Sequence, residues 1–419
     1  MDTKLNNTSK NKFDYRDIIW LTVLSLYFSR FPIVGDFLPI VILIYVVIYI
    51  FGNGVNKSTL GMVVTLFSFS ILHTFFQFIY GEISIINSIG RLLFPITLYY
   101  FGFLIIRNDN DYKVAHKYLI TTIFVYTFYG FLSLQRAIYT FGSFEASRII
   151  NGRTVFSIWD GSPVSATILN MSLSFGLSLL SLFLTNFKGI KISKKNKIIY
   201  FICFALSTYT VFTLGNRSGI LILVLAFFIS FIFADKMNVS KVFRVLGMVV
   251  LLIFFFSLYQ SDLLGIRSFF EDTLIFGRMN QSMAEGDPRV AAWVAAFNGM
   301  FQYPLGGRRA SLPLGFAHNM WLDVGYVGGL IPFTLLLLFT IKTIISLGEL
   351  LTKWNHPLLI KRIFLALYVG VMITFFVEPI MEGGFTFFTT FCFFVGLLDR
   401  LNYNQKKILL ENNYGKIEF

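Results

Sequence analysis

The sequence has little charge and almost no cysteine. Only 14% of its 419 residues are Asp, Glu, Lys or Arg, against about 25% in soluble domains. Its two cysteines, Cys203 and Cys392, lie inside apolar runs and indicate neither a disulfide framework nor a metal site. Low-complexity tracts, heptad series and internal repeats are also lacking. This composition excludes disorder, a coiled coil and an ordinary soluble enzyme.

Several motifs that carry chemistry are missing as well. The sequence has no G-x-S-x-G, no H-E-x-x-H and no Gly-rich nucleotide loop. It also has no basic stripe typical of nucleic-acid binding. The sequence therefore gives no support for a G-x-S-x-G hydrolase, an H-E-x-x-H zinc protease or a nucleic-acid-binding protein.

The sequence is rich in apolar and aromatic residues. Its hydrophobic fraction is 56%, with 51 Phe and 20 Tyr, and its mean hydropathy is +0.70. A bilayer can cover such a surface and water cannot. Apolar runs bounded by charges, Gly or Pro indicate twelve candidate helices, at 18–33, 37–52, 58–79, 83–106, 117–140, 162–186, 198–214, 218–234, 242–260, 318–345, 359–379 and 383–399.

These runs predict an all-α, polytopic integral membrane protein with about 12 transmembrane helices. The first run ends in Arg30-Phe31-Pro32 and not in a small-residue cleavage site, so we expect a retained span and not a signal peptide. Residues 1–400 form a single transmembrane domain in this prediction, with one long loop at 261–317 between helices 9 and 10. Residues 401–419 form a cytoplasmic tail.

The basic residues predict the orientation. With the N-terminus cytoplasmic, 24 of the 35 Lys and Arg fall on inner segments and 11 on outer ones, as the positive-inside rule requires. Both termini are then cytoplasmic, and the long loop is extracytoplasmic. All 19 Lys are inner, so every outer basic residue is Arg. Arg matches phosphate oxygens with two parallel hydrogen bonds, which favours an outer surface that binds phosphate, although a bias against exporting Lys is the simpler explanation.

The long loop predicts a folded cap. Val290, Trp293, Val294 and Phe297 recur at helical spacing, and Pro288 suits the first turn of that helix. Arg289 would project from the same turn, as a phosphate ligand. Glu285 and Asp287 form an acidic pair that could hold a metal, but capping of the helix by Asp287 is the simpler interpretation.

His318 and Asn319 open the tenth run, directly after the loop. Histidine can accept a proton near neutral pH, and Asn319 could hydrogen-bond the imidazole or a sugar. Behind them, Gly325 and Gly329 would let another helix approach closely. An interfacial histidine that anchors a helix end is the simpler and more common alternative.

Arg217 occupies the short outer connection Gly215-Asn216-Arg217-Ser218-Gly219. An Arg held at the hydrocarbon boundary is costly and usually functional, though a snorkelling Arg in a tight turn is a serious competitor. Further candidates for phosphate or sugar contact on the outer side are Arg153, Arg91, Arg308 and Arg309.

These segments resemble the O-antigen polymerase and O-antigen ligase superfamily. The resemblance is carried by Arg217 in a short outer turn, Arg289 followed by Trp293, Tyr303-Pro304-Leu305-Gly306, and His318-Asn319 with Leu322, Gly325 and Gly328. It covers residues 200–335 and extends to the rest by topology alone. The chain departs from the pattern in having Arg308 and Arg309 just before the histidine.

The resemblance implies a GT-C-like glycosyltransferase bundle in a bacterial inner membrane, with its active site on the periplasmic face. His318, Arg217 and Arg289 would be catalytic, without metal or cofactor, on a glycan linked to undecaprenyl pyrophosphate. Membrane lipid and a chain-length-regulating co-polymerase are the other expected partners. Polymerase is favoured over ligase, and a lipid-linked oligosaccharide flippase is the alternative from another class.

Overall fold

The computed structural model describes residues 15–107, 112–152, 154–183, 193–233 and 288–414, with isolated positions between 243 and 261. These residues form an α-helical bundle with one small β-hairpin. The helices are α1 (Tyr15–Phe28), α2 (Val34–Asn53), α3 (Leu60–Ile79), α4 (Ile85–Ile105), α5 (Tyr112–Phe141), α6 (Phe144–Asn151), α7 (Ala166–Leu177), α8 (Leu180–Phe183), α9 (Lys194–Thr213), α10 (Arg217–Phe233), α11 (Pro288–Gln302), α12 (Met320–Gly328), α13 (Leu330–Thr352), α14 (Leu358–Val377), α15 (Ile380–Gly383) and α16 (Phe385–Tyr414).

Five helices of the described residues are long and apolar enough to cross a membrane: α3, α4, α5, α13 and α14. The chain is therefore an all-α membrane protein, as its composition predicted. Shorter apolar helices lie at other predicted runs, whereas the ninth run, 242–260, lies largely outside the described residues. The last helix, α16, extends beyond 400 into the predicted tail.

The centre of the bundle is the contact between α4 and α16. Gly102 and Gly396 lie where the two backbones meet, and a Cβ at either position would collide with a backbone carbonyl of the other helix. Phe393 stacks on Phe101 with ring centroids 6.0 Å apart. Close approach through glycine is how helices gain contact in a bilayer, where burial of apolar surface does not drive their association.

The tenth predicted run, 318–345, is not one helix. It divides at Gly329, which has a left-handed φ of 80°, into the nine-residue α12 and the 23-residue α13. Gly329 lies against the backbone of Pro304 and Gly306, with no room for a Cβ. The prediction that Gly325 and Gly329 share one face of a helix is therefore wrong, because α12 ends at Gly328 and Gly329 follows it.

The sixth predicted run, 162–186, begins with a β-strand and not with a helix. Residues Thr154–Phe156 and Pro163–Ser165 form an antiparallel hairpin, β1 and β2, with Val155 opposite Val164. Arg136 of α5 donates to the carbonyls of Ser157 and Ile158, at 2.8 and 3.0 Å. This guanidinium closes the hairpin turn, and the helix begins only at Ala166.

Ion pairs join segments that are predicted to lie on the same side of the membrane. On the predicted outer side, Arg308 pairs with Glu82 and Glu382. On the predicted inner side, Lys117 pairs with Asp17 at 3.1 Å. These pairs agree with the grouping of segments into two faces, and which face is cytoplasmic stays a prediction.

Candidate functional site

Three segments that carry predicted site residues meet at the end of α14. That helix ends at Val377. Of the two residues that flank its last position, Phe376 contacts two of these segments and Glu378 contacts the third. Glu378 is buried, although it is a carboxylate at a helix terminus. A buried carboxylate needs hydrogen-bond donors, and those donors come from distant parts of the chain.

The first segment is the turn that precedes α10. Ser218 donates to Oε1 of Glu378 at 2.7 Å, and Asn170 donates to Ser218 at 2.8 Å. Asn216, which is also buried, donates to the carbonyl of Ala166. Since α10 begins at Arg217, Ser218 lies inside the helix and is not its N-cap.

Arg217 lies between Asn216 and Ser218, whose side chains make buried hydrogen bonds. The preceding Gly215 has a left-handed φ of 62°, and Gly219 has no room for a Cβ beside Val211. The turn is therefore fixed by its two glycines and two hydrogen-bonded polar residues, and the Arg217 side chain is half-buried. An Arg presented by a fixed turn needs little reordering to bind an anion.

The second segment is α11, whose described residues run from Pro288 to Gln302 and confirm a helix in the long loop. Arg289 and Trp293 lie four positions apart and therefore share one face of this helix. The Trp293 ring packs edge-on against Phe376, with ring centroids 4.9 Å apart. The first turn of α11, with Arg289, thus lies near the end of α14. Glu285 and Asp287 lie outside the described residues.

The opposite end of α11 is fixed by the helix after the loop. Met300 occupies the space that a Cβ at Gly325 would need, so α11 and α12 pack directly on each other. Close approach at Gly325 is confirmed. Because α11 carries Arg289 and α12 directly follows His318, the segments with these two residues pack against each other.

The third segment contains His318, which lies just outside its helix because α12 begins at Met320. His318 has a φ of 54°, a left-handed conformation that is uncommon for residues other than glycine and costs about 1–3 kcal/mol. Asp323 stabilises this turn: its carboxylate accepts from the N–H of Ala317 at 2.7 Å and of Asn319 at 3.2 Å. The backbone on both sides of His318 is therefore pinned.

Asn319 connects this turn to the end of α14. Its Oδ1 caps α12 by accepting from the N–H of Leu322 at 3.2 Å. Its Nδ2 donates to the carbonyl of Phe376 at 3.3 Å. Both ends of the amide thus bind the protein, and contact between Asn319 and a sugar stays a prediction.

The other predicted arginines do not share one environment. Arg91 donates to Gln77 at 2.8 Å and lies over the Phe385 ring. Arg308 binds two carboxylates, with Nε 2.5 Å from Glu82 and Nη2 2.7 Å from Glu382. Arg309 is exposed, and Arg153 lies outside the described residues.

The Arg308 ion pairs adjoin the end of α14, because Glu382 follows Glu378 by four residues. Burial raises the pKa of Glu82, and Arg308 opposes that rise. Burial would lower the pKa of Arg308, but the two carboxylates raise it more. Arg308 and its two carboxylates therefore form an ion-pair cluster at the rim of the candidate site.

A polar stripe on α3 was not predicted. Ser70, His73, Thr74 and Gln77 follow one helical face and are buried. Neither ring nitrogen of His73 has a hydrogen-bond partner within the described residues. The i, i+3, i+4, i+7 spacing was visible in the sequence and could have revealed the stripe.

The described residues contain no group of three His, Cys, Asp or Glu side chains that could hold a metal ion. Comparisons with protein-family models and with curated proteins gave no match.

Proposed function

We propose that the chain is a polysaccharide polymerase of the inner membrane. It would transfer a glycan from an undecaprenyl-pyrophosphate-linked donor to an acceptor sugar hydroxyl on the periplasmic face. The observation that carries the proposal is the convergence at Phe376 and Glu378 of the segments bearing Arg217, Arg289 and His318. These three residues lie in widely separated segments of the sequence.

In this mechanism, the two arginines bind the pyrophosphate and stabilise its charge as the bond to the anomeric carbon breaks. His318 accepts the proton of the acceptor hydroxyl, whose oxygen attacks that carbon. Asp323, Asn319 and Glu378 hold the turns that present these groups. No step requires a metal, because the guanidinium groups supply the positive charge.

A ligase that transfers the glycan to lipid A-core would use the same residues, since only the acceptor differs. A lipid-linked oligosaccharide flippase is favoured by one observation, the helix break at Gly329, because transporters use discontinuous helices at their binding sites. Against it, the charged residues of the candidate site lie at helix ends and not at mid-span. A chain-length-regulating co-polymerase is a further proposed partner of the polymerase.

The polysaccharide pattern of a deletion strain tests the proposal. Lipopolysaccharide with a single repeat is expected for loss of a polymerase. Core without any O-antigen, together with lipid-linked polymer, would identify a ligase, and lipid-linked single repeats retained on the cytoplasmic face would identify a flippase. An unchanged banding pattern would contradict all three.

A further inference from the structure

A second candidate site lies at the opposite end of the bundle from Arg308. Glu82, the partner of Arg308, precedes α4, whereas Arg107 follows its last residue. A helix of 21 residues separates its two ends by roughly 30 Å, the thickness of the hydrocarbon core. Arg107 therefore lies at the other membrane surface, which the charge distribution predicts to be cytoplasmic.

At this surface, residues of α1, α2, α4 and α16 line a cavity of about 690 Å³. This volume is within the range of small-molecule sites. Three arginines line it: Arg16 in the first turn of α1, Arg107 after α4, and Arg400 on α16. Three guanidinium groups from three separate elements concentrate positive charge on one small volume. Such a cavity is suited to an anion.

The geometry of Arg400 is fixed by its neighbours. Its guanidinium lies 5.1 Å from the ring centroid of Phe103 and 5.4 Å from that of Tyr403. It also donates to the carbonyl of Arg107 at 3.3 Å. These contacts hold the Arg400 head group at the cavity and connect it to the segment that carries Arg107.

The acidic residues next in sequence bind elsewhere. Asp17, beside Arg16, pairs with Lys117 at 3.1 Å. Asp399, beside Arg400, accepts from Tyr99 at 2.7 Å and also from Ser346. Both carboxylates thus bind partners that do not line the cavity. Among the described residues that line it, three are arginines and none is acidic.

The rest of the wall is apolar and aromatic. Trp20, Tyr45 and Leu104 line the cavity with the arginines, and the rings of Trp20 and Tyr45 lie 4.8 Å apart. Trp and Tyr are typical of the interface between lipid head groups and acyl chains. A free phosphate would use the arginines alone, whereas a lipid uses both parts of the wall.

We propose that this cavity binds the phosphate head group of an anionic phospholipid from the adjacent leaflet, with the upper part of an acyl chain against Trp20, Tyr45 and Leu104. Basic pockets between membrane helices bind such head groups. The site is independent of the transferase mechanism, because it lies at the opposite membrane surface.

The test measures lipid binding to the purified full chain in neutral detergent after delipidation, by native mass spectrometry. Phosphatidylglycerol and cardiolipin are expected to bind, whereas phosphatidylcholine and glycerol 3-phosphate are expected not to bind at the same concentration. Arg16→Gln/Arg107→Gln should weaken binding of the anionic lipids by about 25-fold, at about 5-fold per arginine.

The matched control is Lys353→Gln/Lys406→Gln, which removes two charges from the same predicted face outside the cavity and should leave affinity within about twofold. If the arginine pair proves unstable, Arg16→Gln alone, at an exposed position, should still weaken binding about 5-fold. Equal losses in the arginine and lysine pairs would overturn the proposal. Equal binding of phosphatidylcholine or saturation by glycerol 3-phosphate would overturn it too.

Discussion

Ser218 donates a 2.7 Å hydrogen bond to Glu378, across 160 positions of sequence. This bond joins the first turn of α10, with Arg217, to the residue that follows α14. Asn170 donates to the same two side chains, so the three residues form one buried polar group. In our account, Glu378 positions Arg217 and does not itself take a proton from substrate.

Substitutions of Glu378 separate these two roles. Glu378→Gln keeps an oxygen acceptor and should retain most stability and transfer activity. Glu378→Leu leaves the buried Ser218 hydroxyl without its acceptor, which costs about 1–3 kcal/mol, and should lower both. The measurements are thermal unfolding in detergent and glycan transfer, with Glu349→Gln on α13 as the control. Normal stability with no transfer in Glu378→Gln would make Glu378 the base.

Arg217 and Arg289 should not tolerate lysine. Arg217→Lys and Arg289→Lys keep the charge but lose the paired hydrogen bonds to phosphate, so transfer should fall by about 10²-fold. Arg148→Lys, on the predicted outer side in α6, is the control and should remain active. Activity close to wild type in both site variants would leave these arginines with only a topological role.

The Arg308 cluster should respond to pH in a defined direction. Arg308→Gln removes the cation that bridges Glu82 and Glu382 and should cost roughly 1–2 kcal/mol, less than for a fully buried pair, because the Arg308 side chain is 30% exposed. Burial already raises the pKa of Glu82, and loss of Arg308 raises it further. The destabilisation should therefore be largest at neutral pH and shrink as the pH falls through the raised pKa.

Thermal unfolding across pH 5–8 measures this effect. Adding Glu82→Gln/Glu382→Gln to Arg308→Gln should restore much of the loss, because the neutral amides do not repel each other. A loss in Arg308→Gln that does not depend on pH would show that packing, and not charge, determines the role of this cluster.

Reporter fusions test the predicted orientation. Phosphatase fused within 261–317 should be active, and phosphatase fused at Lys195 should be inactive, because the 24 to 11 split of basic residues places them on opposite sides. Cytoplasmic placement of the long loop would contradict the orientation and the mechanism together.

The sequence predicted the local features well, because they depend on neighbouring residues. Apolar residues at helical spacing after Pro288 indicated α11, and apolar runs bounded by charges, Gly or Pro marked most of the other described helices. The break at Gly329 was missed because the residues on both sides of this glycine are apolar. Gly329 followed closely by Pro332 is nevertheless a recognisable signal of one helix ending and another beginning.

The partners of site residues could not be predicted, because they come from remote segments. Glu82 lies 226 positions from Arg308, and Phe376 lies 57 positions from Asn319. Periodicity and spacing carry no information about such pairs. The sequence therefore indicated His318, Arg217 and Arg289 as candidates, but it gave no indication that the end of α14 brings their segments together.

The most direct test of the account is the transfer activity of His318→Gln with purified protein and an undecaprenyl-pyrophosphate-linked donor. Glutamine retains hydrogen bonding but cannot accept the proton, so transfer should fall by about 10²–10⁴-fold, while donor binding and thermal stability remain close to wild type. His116→Gln, in α5 on the predicted inner side, is the control and should transfer normally. Wild-type transfer by His318→Gln would contradict the account, because His318 would then only shape the turn before α12.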